Sequence, residues 1–87
     1  MSHRAYILIN VMPGQTDNVL QRLSTLSEIV ILDACWGKPD VIALMEVPDQ
    51  DTLTELVLTK IHSIEGVAQT DTHLVYQPVR QALPMQA

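Results

Sequence analysis

Three stretches of this chain, Tyr6-Ile7-Leu8-Ile9, Ile29-Val30-Ile31-Leu32 and Val41-Ile42-Ala43-Leu44-Met45, are apolar at every position. A strand with one wet side alternates apolar and polar residues, so unbroken runs of Ile, Val and Leu imply strands buried on both faces. Only two segments carry the 3.6-residue periodicity of amphipathic helices, enough to cover one face of a small sheet. Leaving roughly six to eight aliphatic side chains of the other face in water would forfeit about 1.5–3 kcal/mol each, which rivals the whole stability of a small domain. The sequence therefore requires a second apolar surface against the sheet. The simplest source is another copy of the chain, a homodimer at least.

Eighty-seven residues make one domain, of a size at which a lone core is marginal and self-association supplies missing burial. The hydrophobic content of 47% is ordinary, but the aromatics are only Tyr6, Trp36 and Tyr76, which argues against a base-stacking surface. The net charge is −5, and Arg4, Arg22, Lys38, Lys60 and Arg80 are scattered without a cluster that lines a phosphate backbone, so direct nucleic-acid binding is not expected. Cys35 is the single cysteine and sits in apolar sequence. It offers neither a disulfide framework nor zinc-ligand spacing, it reads as a small buried hydrophobe, and it fits a reducing cytoplasm. Strand-like sequence begins by Ala5, without room for a signal peptide, and no apolar run approaches the ~18 residues of a membrane span. A soluble cytoplasmic protein, with no membrane association, is expected.

Ala5 to Met12 reads as a strand closed by the Pro13-Gly14 turn, with Thr16 as helix N-cap and a first helix to about Ser27 whose Val19, Leu20, Leu23 and Leu26 form one stripe. Ile29 to Trp36 and Asp40 to Val47 read as an antiparallel hairpin joined by Gly37-Lys38-Pro39-Asp40. Pro48 ends the hairpin, and Asp49 caps a second helix with the stripe Leu53, Leu56, Val57, Ile61 and Ile64, ended by Gly66. Val67 to Tyr76 is the last strand, and alone alternates with polar residues, as an edge strand does. Residues 1–77 form one domain; the tail from 78 to 87, with two prolines and no periodicity, is loose or drapes over a partner subunit.

The order βαββαβ predicts an α+β, ferredoxin-like fold: a four-stranded antiparallel sheet, strands one and three central, two helices on one face. Dividing the central strands by period two puts Ile7, Ile9, Val11, Val41, Ala43, Met45 and Val47 toward the helices. Tyr6, Leu8, Asn10, Ile42, Leu44 and Glu46 face the other way, as the candidate dimer interface, with Asn10 and Glu46 as a polar pair toward one end. Two sheets packed through that face make a dimeric α+β barrel.

The segments GKPDVIALMEV (37–47) and GVAQTDTHLVY (66–76), the aspartate-capped helix between them and the Pro13-Gly14 turn together resemble the effector-binding domain of the Lrp/AsnC transcriptional regulators, the RAM domain, over Ala5 to Tyr76. Gly37, Asp40, Gly66, Val67, Thr70 and Thr72 match the family's pattern, whereas Pro39 stands where an aromatic is usual, so a ring that would pack over a ligand is missing. The resemblance implies dimers assembling into rings or octamers, with amino-acid effectors in clefts between dimers. Such regulators carry an N-terminal helix-turn-helix domain; the chain resembles stand-alone members without it, which act through co-assembly with a full-length regulator.

In that light Gly37, Lys38, Pro39, Asp40, Thr70 and Thr72 are the candidate effector-binding residues. Asp40 is suited to an ammonium, and the threonine hydroxyls and the Gly37 backbone to a carboxylate. The competing explanation is local: Asp and Gly are preferred in hairpin loops, and Thr is a good strand former. His3, His62 and His73 have no ligand spacing and read as solvated, Asp49 and Asp51 are helix caps rather than a calcium loop, and Glu46 is an end-of-strand carboxylate. No catalytic residue, metal or cofactor is expected. The function expected is non-catalytic binding and oligomerisation in transcriptional regulation. The alternatives are a small dimeric barrel enzyme of the monooxygenase type, which would need polar residues aimed at the helices, and a ligand-free assembly partner.

Overall fold

A computed structural model describes residues 3–80. In chain order it comprises β1 (His3–Val11), α1 (Thr16–Leu23), β2 (Ile29–Ala34), β3 (Val41–Val47), α2 (Gln50–Glu55), a π-helical segment Leu56–Ile61 continuing α2, and β4 (Val67–Leu74). The sheet is antiparallel throughout, in the order β2-β3-β1-β4, so β1 and β3 are central as expected and the polar-patterned β4 is an edge. This is the ferredoxin-like arrangement. Residues 81–87, most of the expected tail, lie outside the described residues, and 75–80 carry no regular structure.

The core is the helix-facing half of the central strands, Ala5, Ile7, Ile9, Val41, Ala43, Met45 and Val47, closed over by Val19 and Leu23 of α1 and by Leu53, Leu56, Val57 and Ile61. Val11 is half-buried at its margin. No polar or charged residue is buried among the described residues. Apolar packing is the main tie between the two layers.

Asp49 caps α2 as the sequence indicates: its carboxylate accepts the Thr52 backbone N–H at 2.7 Å. That bond first, and the Thr52 side-chain hydrogen bond second, hold the Asp49 carboxyl below its ordinary value. The other helix boundaries differ from expectation for local reasons. Gln15, not Thr16, occupies the N-cap of α1 and makes no side-chain cap bond. Instead Asn18 donates its amide Nδ2 to the Glu65 carbonyl at 2.9 Å, tying the start of α1 to the turn before β4. The helix stops at Leu23 rather than Ser27 because Ser24 and Thr25 turn their hydroxyls back to the Gln21 and Arg22 carbonyls, 2.7 Å each, competing with further helical bonds. The second helix is not one α-helix. Thr59 donates its hydroxyl to the Glu55 carbonyl, and His62 N–H reaches the Val57 carbonyl five residues back at 3.0 Å, widening the last turns.

Cys35 and Trp36, expected in the second strand, lie beyond it in the hairpin loop: Cys35 is half-buried and Trp36 fully exposed. A bulge at Val30 shifts the β2–β3 register, which pairs Ile31 with Leu44 and turns Ile31 to the sheet face away from the helices.

Candidate functional site

The candidate residues fall on one end of the sheet, where β1 finishes, β3 begins and β4 begins. The hairpin loop from Cys35 to Asp40 is pinned there by backbone bonds. Cys35 N–H donates to the Asp40 carbonyl at 2.8 Å, and Asp40 N–H donates to the Ile9 carbonyl at 3.0 Å. The Asp40 carboxylate Oδ2 accepts the Val11 N–H at 2.8 Å, satisfying the end of β1. Gly37 has φ +97°, a backbone conformation that side chains disfavour, so the loop needs glycine there. Lys38 is exposed, and Pro39 and Asp40 are half-buried. Asp40 thus does part of the local work that turn chemistry foresees. A carboxylate has about four acceptor positions, which leaves capacity beside the one backbone bond.

Thr70 and Thr72 are opposite Ile9 and Ile7 across the β1–β4 ladder, which places both on the helix-facing side of the edge strand. Thr72 is exposed, while Thr70 is half-buried. Thr70 Oγ1 shares a 2.6 Å hydrogen bond with His62 Nε2. One strand separates β3 from β4, so the two strands that carry the loop's end and Thr70 lie about 10 Å apart. Within one chain the hairpin loop does not line the groove beside Thr70.

His62 is exposed, as the sequence suggests, and also bonds Thr70. It helps line a groove of about 350 Å3 with Val67, Ala68, Gln69 and Thr70. In an ideal α-helix it would project with the polar face; the π-helical turn, closed by the His62 N–H to Val57 carbonyl bond, rotates it toward the side of Val57. A second hollow, about 260 Å3, lies between the helices beside Arg22 and Lys60, but its Thr25, Thr59 and Ser63 hydroxyls are committed to helix carbonyls.

On the sheet's open face, Tyr6 pairs with Leu44 and Leu8 with Ile42, and Ile31 lies beside Leu44. Asn10 and Glu46 are not a pair at one end. The antiparallel register sets them at opposite ends, with Glu46 accepting the Arg4 guanidinium Nε–H at 3.2 Å and Asn10 opposite Gln69. Glu46 is therefore an ion-pair partner rather than a carboxylate simply reaching water. The Asn10 side-chain oxygen is buried without a hydrogen-bond partner. Arg4, Glu46, Asn10 and Gln69, with Asp33, Asp71 and His73 along the sides, border an apolar centre.

The chain matches the model of the Lrp/AsnC ligand-binding domain over residues 4–85. The chain belongs to the Lrp/AsnC family. It is 30% identical over 71 residues, 82% of its length, to an HTH-type transcriptional regulator of Pyrococcus furiosus, of which the match covers 48%. The chain thus spans about half the length of the curated relatives it matches. Among solved structures it resembles E. coli AsnC, with a TM-score of 0.88 at 19% identity over 94% of this chain and 56% of that one. A Neisseria meningitidis transcriptional regulator, solved as a complex with L-Met, gives 0.86 at 17% over 94% and 56%. At these identities the structural likeness establishes the fold. The Lrp/AsnC domain has no helix among its described residues long and apolar enough to cross a membrane, and no group of His, Cys, Asp or Glu there gathers as a metal site.

Proposed function

We propose that this Lrp/AsnC domain is a non-catalytic module that binds a small effector, an amino acid, and self-associates, acting in transcriptional regulation by co-assembly with full-length regulators of its family. The observation that carries the self-association is the open sheet face: Tyr6 is 42% and Ile31 50% exposed beside half-buried Leu8 and Ile42, over Leu44 that is already buried, an apolar centre with a polar border. That is the anatomy of a subunit interface. Dimers, further joined into an octamer or similar ring, bring the hairpin loop of one copy toward β4 of another and turn the two half-sites into a closed cleft.

Gly37, Lys38, Pro39 and Asp40 form one wall of this effector cleft, and Thr70 and Thr72 the other, with Asp40 facing the ammonium. The L-Met bound by the Neisseria regulator supports an amino-acid ligand. An enzyme with a pocket between sheet and helices draws no support from that layer, where every buried side chain is apolar. Calorimetry with the twenty amino acids tests the effector reading. Replacing Asp40 with Ala abolishes binding and leaves the dimer intact. Asp40→Asn, which keeps an oxygen for the Val11 N–H but removes the charge, weakens it about tenfold or more. Unchanged affinity in both variants removes Asp40 from the site.

A further inference from the structure

We infer that the hollow where the two helical elements end is a binding site for a doubly charged phosphate group, held by Arg22 and Lys60. It is independent of the effector function proposed above, because its lining shares no residue with the hairpin loop or with β4. Each cation stands in a last turn, Arg22 in α1 and Lys60 in the π-helical segment, where a basic side chain ordinarily serves its own helix by facing the free carbonyls. Here hydroxyls already do that. Thr25 donates to the Arg22 carbonyl, Thr59 to the Glu55 carbonyl and Ser63 to the Lys60 carbonyl at 3.0 Å. The Arg22 and Lys60 side chains enter no hydrogen bond or ion pair among the described residues. Both are therefore uncommitted.

The surroundings select the ligand. No carboxylate lines the hollow, so in a chain with ten acidic residues two of its five bases share a site where no acid answers them. A single carboxylate neutralises one such charge; a phosphate dianion neutralises both, and has oxygens enough for the guanidinium fork and the ammonium together. The three hydroxyls blunt the negative helix ends, which would otherwise oppose an anion. With their hydrogens spent on carbonyls they add no donor of their own, so recognition falls to the two cations and goes by charge. The volume of about 260 Å3 has room for a small organic body beside half-buried Leu26 and buried Ile64.

The test uses the whole chain at about pH 8, where a phosphate monoester, with a second pKa of about 6, carries two charges. Glycerol phosphate, inorganic phosphate and the singly charged dimethyl phosphate are titrated at matched low ionic strength, with NMR at the Thr25, Lys60 and Ser63 amides. The two dianions shift these amides saturably at about millimolar concentration, and dimethyl phosphate binds about tenfold more weakly. Arg22→Gln and Lys60→Gln each weaken dianion binding about fivefold or more, whereas Lys60→Arg and Arg80→Gln stay within about twofold of the parent. Arg22, Lys60 and Arg80 are exposed, so these variants keep the parent spectrum elsewhere. Tighter binding of glycerol phosphate than of inorganic phosphate assigns the hollow to an organic monoester, and equal or weaker binding assigns it to inorganic phosphate. No saturable shift, shifts centred elsewhere, dimethyl phosphate bound as tightly as the dianions, or losses in Arg22→Gln and Lys60→Gln no larger than in Arg80→Gln overturn the inference. None of these results turns on whether an amino acid binds at the hairpin loop, so the two readings stand or fall separately.

Discussion

Asp40 and Asp49 show how much of a carboxylate's behaviour is settled by the nearest backbone N–H. Asp40 closes the end of β1 through Val11, so its removal has a structural cost apart from any ligand, and the asparagine variant is the cleaner probe of charge. Asp49 holds the Thr52 N–H and starts the helix that covers the sheet. Asp49→Ala lowers the thermal midpoint by several degrees, and Asp49→Asn, also a good cap, by less. Because its folded pKa is lowered, Asp49 stabilises fully above the unfolded aspartate value of about 3.9, and that stabilisation is lost as pH falls through the folded value. The gap between wild type and Asp49→Ala, measured by urea unfolding, therefore holds at neutral pH and narrows only in that acid range. A gap that widens with acid contradicts the assignment.

Among the elements, the four strands, their order and the helix-facing stripe were legible in the sequence, because period-two and period-3.6 patterns survive any local irregularity. The helix ends were not. Ser24 and Thr25 stop α1 with hydroxyl bonds to carbonyls, and Thr59 contributes to the π-helical turn, effects that periodicity does not register. The same blindness hid His62, whose place depends on that turn, and Ile31, whose face depends on the bulge at Val30. Gly66 was read as a helix terminator. Its φ of +103° supports that, and the structure adds that a methyl there would overlap the Gln15 side chain beneath Val19. Gly66→Ala therefore destabilises by about 1–3 kcal/mol in denaturant unfolding. A loss below a few tenths would mean that the junction of α1 and β4 yields without cost.

In the whole molecule, the two faces of the sheet tell different stories. The helix side is finished: Ile7, Ile9, Val41, Ala43 and Met45 are wholly buried within one chain. The other side leaves Tyr6 and Ile31 exposed beside half-buried Leu8 and Ile42, an apolar surface that the unbroken apolar runs already implied. What the runs did not reveal is that the candidate residues of the hairpin loop and of β4 are separated by β1, since hydrophobic periodicity places faces and not distances across a sheet. On the proposed function, in which the loop at Asp40 and the strand at Thr70 meet only between copies, an effector that bridges them strengthens association by mass action.

Native mass spectrometry of the purified chain tests the central claim most directly. Wild-type protein at micromolar concentration gives dimers and even multiples of them, and Leu8→Glu, which sets a charge in the middle of the open face, gives monomers, a loss of about 3 kcal/mol or roughly a hundredfold in association. A wild-type spectrum of monomers alone, or a Leu8→Glu variant that assembles like the parent, contradicts closure of the sheet by a second copy.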